Sequence, residues 1–103
     1  MFVEHKEAIE ITPAKVLKLS EAIRIGAKLR GQCVNAYFKK GRSCAIGAAA
    51  EAMFGVNEDT FSTMHAEVIL RTITTHIASE VLIRNDEGES REQIADWLEG
   101  LGY

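Results

Sequence analysis

Residues 41–52, Gly-Arg-Ser-Cys-Ala-Ile-Gly-Ala-Ala-Ala-Glu-Ala, lead from a basic turn into a run of almost wholly small side chains. Small residues bury little area of their own, but they let a second backbone come close. The pattern predicts a central packing helix over 43–54. Ser43 would cap it, and Gly55 would stop it in the left-handed conformation.

Helical spacing governs much of the remaining chain. Thr12-Pro13 reads as a helix start, because Pro is at home in a first turn, where its missing N–H costs nothing. Val16, Leu19, Ala22, Ile23, Gly26, Ala27 and Leu29 follow on one face, with Lys18, Glu21, Arg24 and Lys28 on the other. A helix over about 13–30 follows, ended by Gly31. Ala66, Ile69, Leu70, Ile73, Ile77 and Val81 form a second stripe, long enough to predict one helix over 64–83 despite its β-branched content. Residues 84–89 read as a polar loop. Ser90-Arg91-Glu92-Gln93 has the form of a capping box opening a helix over 90–99. Residues 33–40 suit either a short strand or a short helix, Lys39-Lys40-Gly41-Arg42 reads as a turn, and residues 1–11 read as an extended arm. The expected fold is all-α, a bundle of four or five helices in a single domain over 1–103.

With 103 residues, 47% apolar and 26% charged, the chain has the balance of a globular domain with one core. Its longest apolar run, Ala45 to Ala50, falls far short of the ~20 residues that cross a bilayer, so no membrane role is expected. The first residues lack the basic start and apolar core of a signal peptide. Two cysteines in such a chain read as reduced thiols, and the expected location is the cytoplasm.

The charge is divided unevenly. Residues 13–42 hold eight basic residues against one acidic, and residues 43–103 hold three basic against eleven acidic, within a net charge of −3. Either the first half binds an anionic partner, or the two halves pair across one small fold. Lys28, Arg30, Lys39, Lys40 and Arg42, with Tyr37 available to stack on bases, are the candidate interaction residues for a nucleic acid. Phe38 is a second aromatic beside them.

Cys44 is the candidate reactive thiol. A helix N-terminus and Arg42 two residues earlier would both favour a thiolate, whereas a cysteine among Ala45, Gly47 and Ala48 is also a small buried hydrophobe. His65, His76 and Glu80 fall near one side of the 64–83 helix, but the spacings that mark a zinc site are missing. No metal and no cofactor are expected, and no catalytic residue is assigned.

Thr12-Pro13, the Gly41–Ala48 segment and Asn85-Asp86 followed by Ser90-Arg91-Glu92-Gln93-Ile94 together resemble a group of small bacterial domains, many from actinobacteria. The group's pattern is Gly-Arg-x-Cys-Ala-x-Gly-Ala, then Asn-Asp and Ser/Thr-Arg-x-x-Val/Ile. This chain departs from it at Arg84 and Gln32, where the group often has Trp. The resemblance implies a helical fold and supplies no activity, since the group has no established function. The expected function is a non-enzymatic protein-interaction or accessory module, with another protein or a second copy as partner. The alternatives are a nucleic-acid-binding accessory protein using residues 13–42, and a thiol-dependent enzyme or redox sensor acting through Cys44.

Overall fold

Ala45, Ile46, Ala48, Ala49 and Ala50 are withdrawn from solvent, and the chain is arranged around the helix that carries them. The computed structural model describes residues 12–103; the arm expected over 1–11 lies outside the described residues. Among the described residues there are five helices: α1 (Leu19–Ala27), α2 (Ala45–Phe54), α3 (Thr63–Leu70), α4 (Thr75–Asp86) and α5 (Arg91–Gly100). A two-stranded hairpin, β1 (Phe38–Lys39) and β2 (Arg42–Ser43), interrupts an otherwise all-α architecture.

Helix α2 lies at the centre, packed by α1, α3 and α4, and α1 also packs on α5. The small residues act as the sequence suggests. A Cβ on Gly26 would collide with the Ala48 carbonyl where α1 crosses α2, and one on Gly47 would collide with the Tyr37 carbonyl. Ile23, Ile46, Ile69, Ile94 and Leu98 fill the space around these close crossings. Each such side chain stabilises the fold by about 1.5–3 kcal/mol through apolar burial.

Helix α1 begins six residues later than Pro13 suggests. Residues 12–18 are non-helical, with a bend at Ala14 and Lys15, and the N–H groups of these two residues donate to the Met53 carbonyl at 2.8 and 3.2 Å, tying this strap to the end of α2. The strap's hydrogen bonds are thus made with α2 rather than within a helix. Lys18 occupies the N-cap position, its N–H donating to the Glu21 carboxylate at 3.2 Å. Val16, expected on the apolar face, is 96% exposed, and Leu29, beyond the helix end, is 56% exposed.

The helix expected over 64–83 is two helices. Thr72 Oγ1 donates to the Ile69 carbonyl at 2.7 Å, and Thr74 Oγ1 accepts from the Ile77 N–H at 3.2 Å. Threonine hydroxyls compete with the helix ladder in this way and favour ends over interiors. Ile73 remains buried through the break. The apolar stripe is therefore continuous although the helix is not. Helix α4 then continues to Asp86, through the first residues of the expected polar loop.

At the start of α2 the N-cap is Cys44, one residue after the expected Ser43; Gly55 closes the helix with φ of 74°. Ser90 and Gln93 form the expected capping box of α5: the Gln93 N–H donates to Ser90 Oγ at 3.0 Å, and the Ser90 N–H donates to Gln93 Oε1 at 3.2 Å. In the hairpin, Lys40 and Gly41 have φ of 52° and 76°, the signature of a two-residue type I′ turn. Residues 33–40 therefore form a loop and one short strand, with no helix.

Candidate functional site

The end of α4 carries two side chains that organise the loop before the hairpin. Asn85 is 1% exposed. Its Oδ1 accepts from the Ala45 N–H and from Gln32 Nε2, both at 3.0 Å, and its Nδ2 donates to the Cys33 carbonyl at 3.0 Å. Asp86 Oδ1 accepts from the Asn35 N–H at 2.8 Å, holding Asn35 in a left-handed conformation with φ of 61°. One side chain thus satisfies the first N–H of α2, and its neighbour fixes the loop that lies over it.

Arg91, in the first turn of α5, completes the joint. Its guanidinium donates to Ser43 Oγ at 2.9 Å, the Ser43 carbonyl at 3.3 Å, the Arg30 carbonyl at 2.7 Å and the Ala27 carbonyl at 3.4 Å. No carboxylate pairs with it among the described residues. The carbonyls at the end of α1 take that role, where the helix dipole favours a cation. Burial lowers the Arg91 pKa from its ordinary value, a measure of how far the charge has been taken from water. Ser43 and Ala45, Asn85, and Arg91, from three stretches distant in sequence, therefore meet in one buried polar joint.

A shallow, open cleft of about 320 Å³ lies beside this joint, lined by Asn35, Tyr37, Cys44, Leu82 and Asp86 among others. Cys44 Sγ accepts from the Gly47 N–H at 3.4 Å. The features that favour a thiolate are outweighed here: burial pushes the Cys44 pKa up to about 11. The Arg42 guanidinium lies over Gly31. Burial also raises the Cys33 thiol.

The six interaction candidates do not form one open patch. Arg30 is held by Glu51 in a two-point pair, Nε to Oε1 and Nη2 to Oε2, both at 2.8 Å. Tyr37 and Phe38 both pack on Phe61, each with ring centroids 5.2 Å away. Phe61 in turn meets His65 at 5.7 Å, and His65 meets Phe54 at 4.9 Å. These two aromatics thus take part in an internal cluster, which limits the ring area available for bases. Lys28, Lys39, Lys40 and Arg42 are exposed, and no carboxylate lies within ion-pair distance of them among the described residues. Backbone N–H groups of Lys40 and Gly41 donate to Glu58 at 3.2 and 2.9 Å, so an acidic side chain braces the basic turn. Arg24, the other paired cation of the basic half, meets Asp96 and Glu99 on α5, each at 2.6 Å.

Among the described residues no three of His, Cys, Asp or Glu gather as metal ligands. No helix among them is long and apolar enough to cross a membrane. Asn85, Asp86, Gln32 and the Ser43–Arg91 contact carry the joint, and periodicity could not assign them these roles. The signals present were the Asn-Asp pair and the Arg that follows Ser90. The chain matches no family model, no curated protein and no solved structure.

Proposed function

We propose that this chain is a non-enzymatic protein-interaction module of the cytoplasm that pairs with a second copy of itself through the outer face of α1. One observation carries this reading. Ile25 on α1 and Leu29 in the turn just beyond its end are 40% and 56% exposed, whereas Leu19, Ala22, Ile23 and Gly26 of α1 are buried. An exposed apolar pair four residues apart presents a short ridge, unlike a lone surface hydrophobe. Glu21 and Lys28 flank the ridge on the same exposed side. Two antiparallel copies would set the Glu21 of each against the Lys28 of its partner, the self-complementarity that a two-fold contact requires. Membership of the group of small bacterial helical domains is part of this proposal and supplies no activity.

Sedimentation over a dilution series tests the reading. The expected result is a concentration-dependent dimer that Ile25→Glu with Leu29→Glu converts to a monomer without loss of helix content. A monomer at every concentration would overturn it.

A second reading, nucleic-acid binding, has one specific observation in its favour: the hairpin presents Lys39, Lys40 and Arg42 without carboxylate partners among the described residues. Its test is a labelled single strand at low salt. Phosphate contacts would make the affinity fall steeply as salt rises, and replacing the three residues together by Ala would weaken it.

A further inference from the structure

Cys33 and Cys44 stand next to one another. Gln32 and Ser43 are bridged in parallel, the Cys33 N–H donating to the Ser43 carbonyl at 3.0 Å. Each cysteine is one residue beyond that bridged pair. Neighbouring strands lie about 4.8 Å apart, inside the roughly 4.4–6.8 Å between Cα atoms that a disulfide spans. A second contact brings them to the same point. The Tyr37 carbonyl accepts from the Cys44 N–H at 3.0 Å, and the Cys33 thiol lies 4.0 Å from the same oxygen. Both side chains belong to one buried cluster, and both are free thiols. Of the two, Cys44 lines the open cleft beside Tyr37 and Asp86.

We infer that Cys33 and Cys44 form a reversible redox-modification site, in which peroxide entering the cleft converts the two thiols into an intramolecular disulfide. The Cys44 thiolate attacks one peroxide oxygen, breaking the O–O bond. This gives a sulfenic acid at Cys44 and hydroxide, which takes up the proton that Cys44 released. Cys33 sulfur then attacks Cys44 Sγ, forming the S–S bond and expelling the sulfenic oxygen as water with the Cys33 proton. Two thiols and one hydrogen peroxide thus give one disulfide and two waters; a dithiol reductant returns both thiols. Burial sets the rate, which is slow because little thiolate is present. Adjacency sets the product, since the sulfenic acid meets a second thiol before a second peroxide. The disulfide would tie the loop before the hairpin to the first turn of α2, at the edge of the cleft.

Lys39, Lys40 and Arg42 lie between the two cysteines, so trypsin separates them and a disulfide appears as a linked pair of peptides, 31–39 with 43–71. The folded full chain is treated with excess hydrogen peroxide and digested without reductant, beside a urea-unfolded sample. The expected result is that linked pair in monomeric protein, reversed by dithiothreitol. Cys33→Ser should instead carry sulfenic or sulfinic acid at Cys44. Free thiols persisting in the folded chain while the unfolded chain oxidises would overturn the proposal. So would sulfinic acid on wild-type Cys44 without linkage, or disulfides only between molecules.

Discussion

Asn85 Oδ1 accepts the N–H of Ala45 at 3.0 Å, across forty residues of chain, and so caps a helix to which it does not belong. The N-cap residue itself, Cys44, uses its sulfur on the Gly47 N–H. Two of the orphan donors at the start of α2 are therefore satisfied by different elements.

Asn85→Ala would leave the Ala45 N–H, the Cys33 carbonyl and the Gln32 amide each short of a partner near the core. An unsatisfied buried polar group costs about 1–3 kcal/mol, and water would reach part of the joint through the cleft. The expected loss of stability is about 2–4 kcal/mol in urea unfolding. A change below about 0.5 kcal/mol, the range of ordinary surface substitutions, would show that the joint contributes little.

Arg91 supports the same joint from α5. Arg91→Met keeps most of the side-chain volume and removes every hydrogen bond to Ser43, Ala27 and Arg30, with an expected cost of about 2–3 kcal/mol. Arg91→Lys should restore less than half of that, because one ammonium cannot fork to Ser43 and the Arg30 carbonyl together. Equal stability of the Lys variant and the wild type would mean that charge alone matters at the end of α1.

Much of the fold was legible because its signals are local. The Ser90–Gln93 box, the Gly55 stop and the buried stripe from Ala66 to Val81 each depend on residues within a few turns of one another. The break at Thr72–Thr74 was hidden because the stripe runs through it without a change of face. Pro13 misled for a related reason: the two residues after it, Ala14 and Lys15, donate their N–H groups to the Met53 carbonyl, distant in sequence, instead of entering a helix. Of the candidate site, the exposed hairpin cations could be read from charge, but the withdrawal of Arg30 by Glu51 and of Tyr37 by Phe61 could not. Asn85 and Arg91 escaped because a polar residue reveals its burial only when the groups it satisfies are known.

Cys44 makes stability depend on alkaline pH. Its thiol is raised from an ordinary value of 9.0 to about 11 in the folded chain, so the native state holds the proton more tightly than the unfolded one. The resulting stabilisation is complete below pH 9 and is lost as pH rises towards 11. The loss amounts to about 2–3 kcal/mol at most. Urea unfolding at pH 8 and 10.5 should therefore show a smaller decline for Cys44→Ser than for the wild type. Identical declines would indicate that the thiol is solvated.

The hairpin turn offers a change in the stabilising direction. Lys40 sits at φ of 52°, a region that lysine disfavours and that Asn tolerates at the first central position of a type I′ turn. Lys40→Asn should raise the thermal midpoint, by a free energy of about 0.5–1 kcal/mol. A lowered midpoint would show that the lysine side chain itself supports the hairpin.

In the proposed dimer the Ser43, Asn85 and Arg91 joint holds the fold, and the exposed residues at the end of α1 meet a second copy. Amide NMR spectra recorded across a dilution series locate such a contact residue by residue. Shifts confined to Glu21, Ile25, Lys28, Leu29 and their immediate neighbours are predicted, and these should vanish in the Ile25→Glu, Leu29→Glu variant. Shifts centred on the hairpin residues Lys39–Arg42, or spectra unchanged at every concentration, would contradict it.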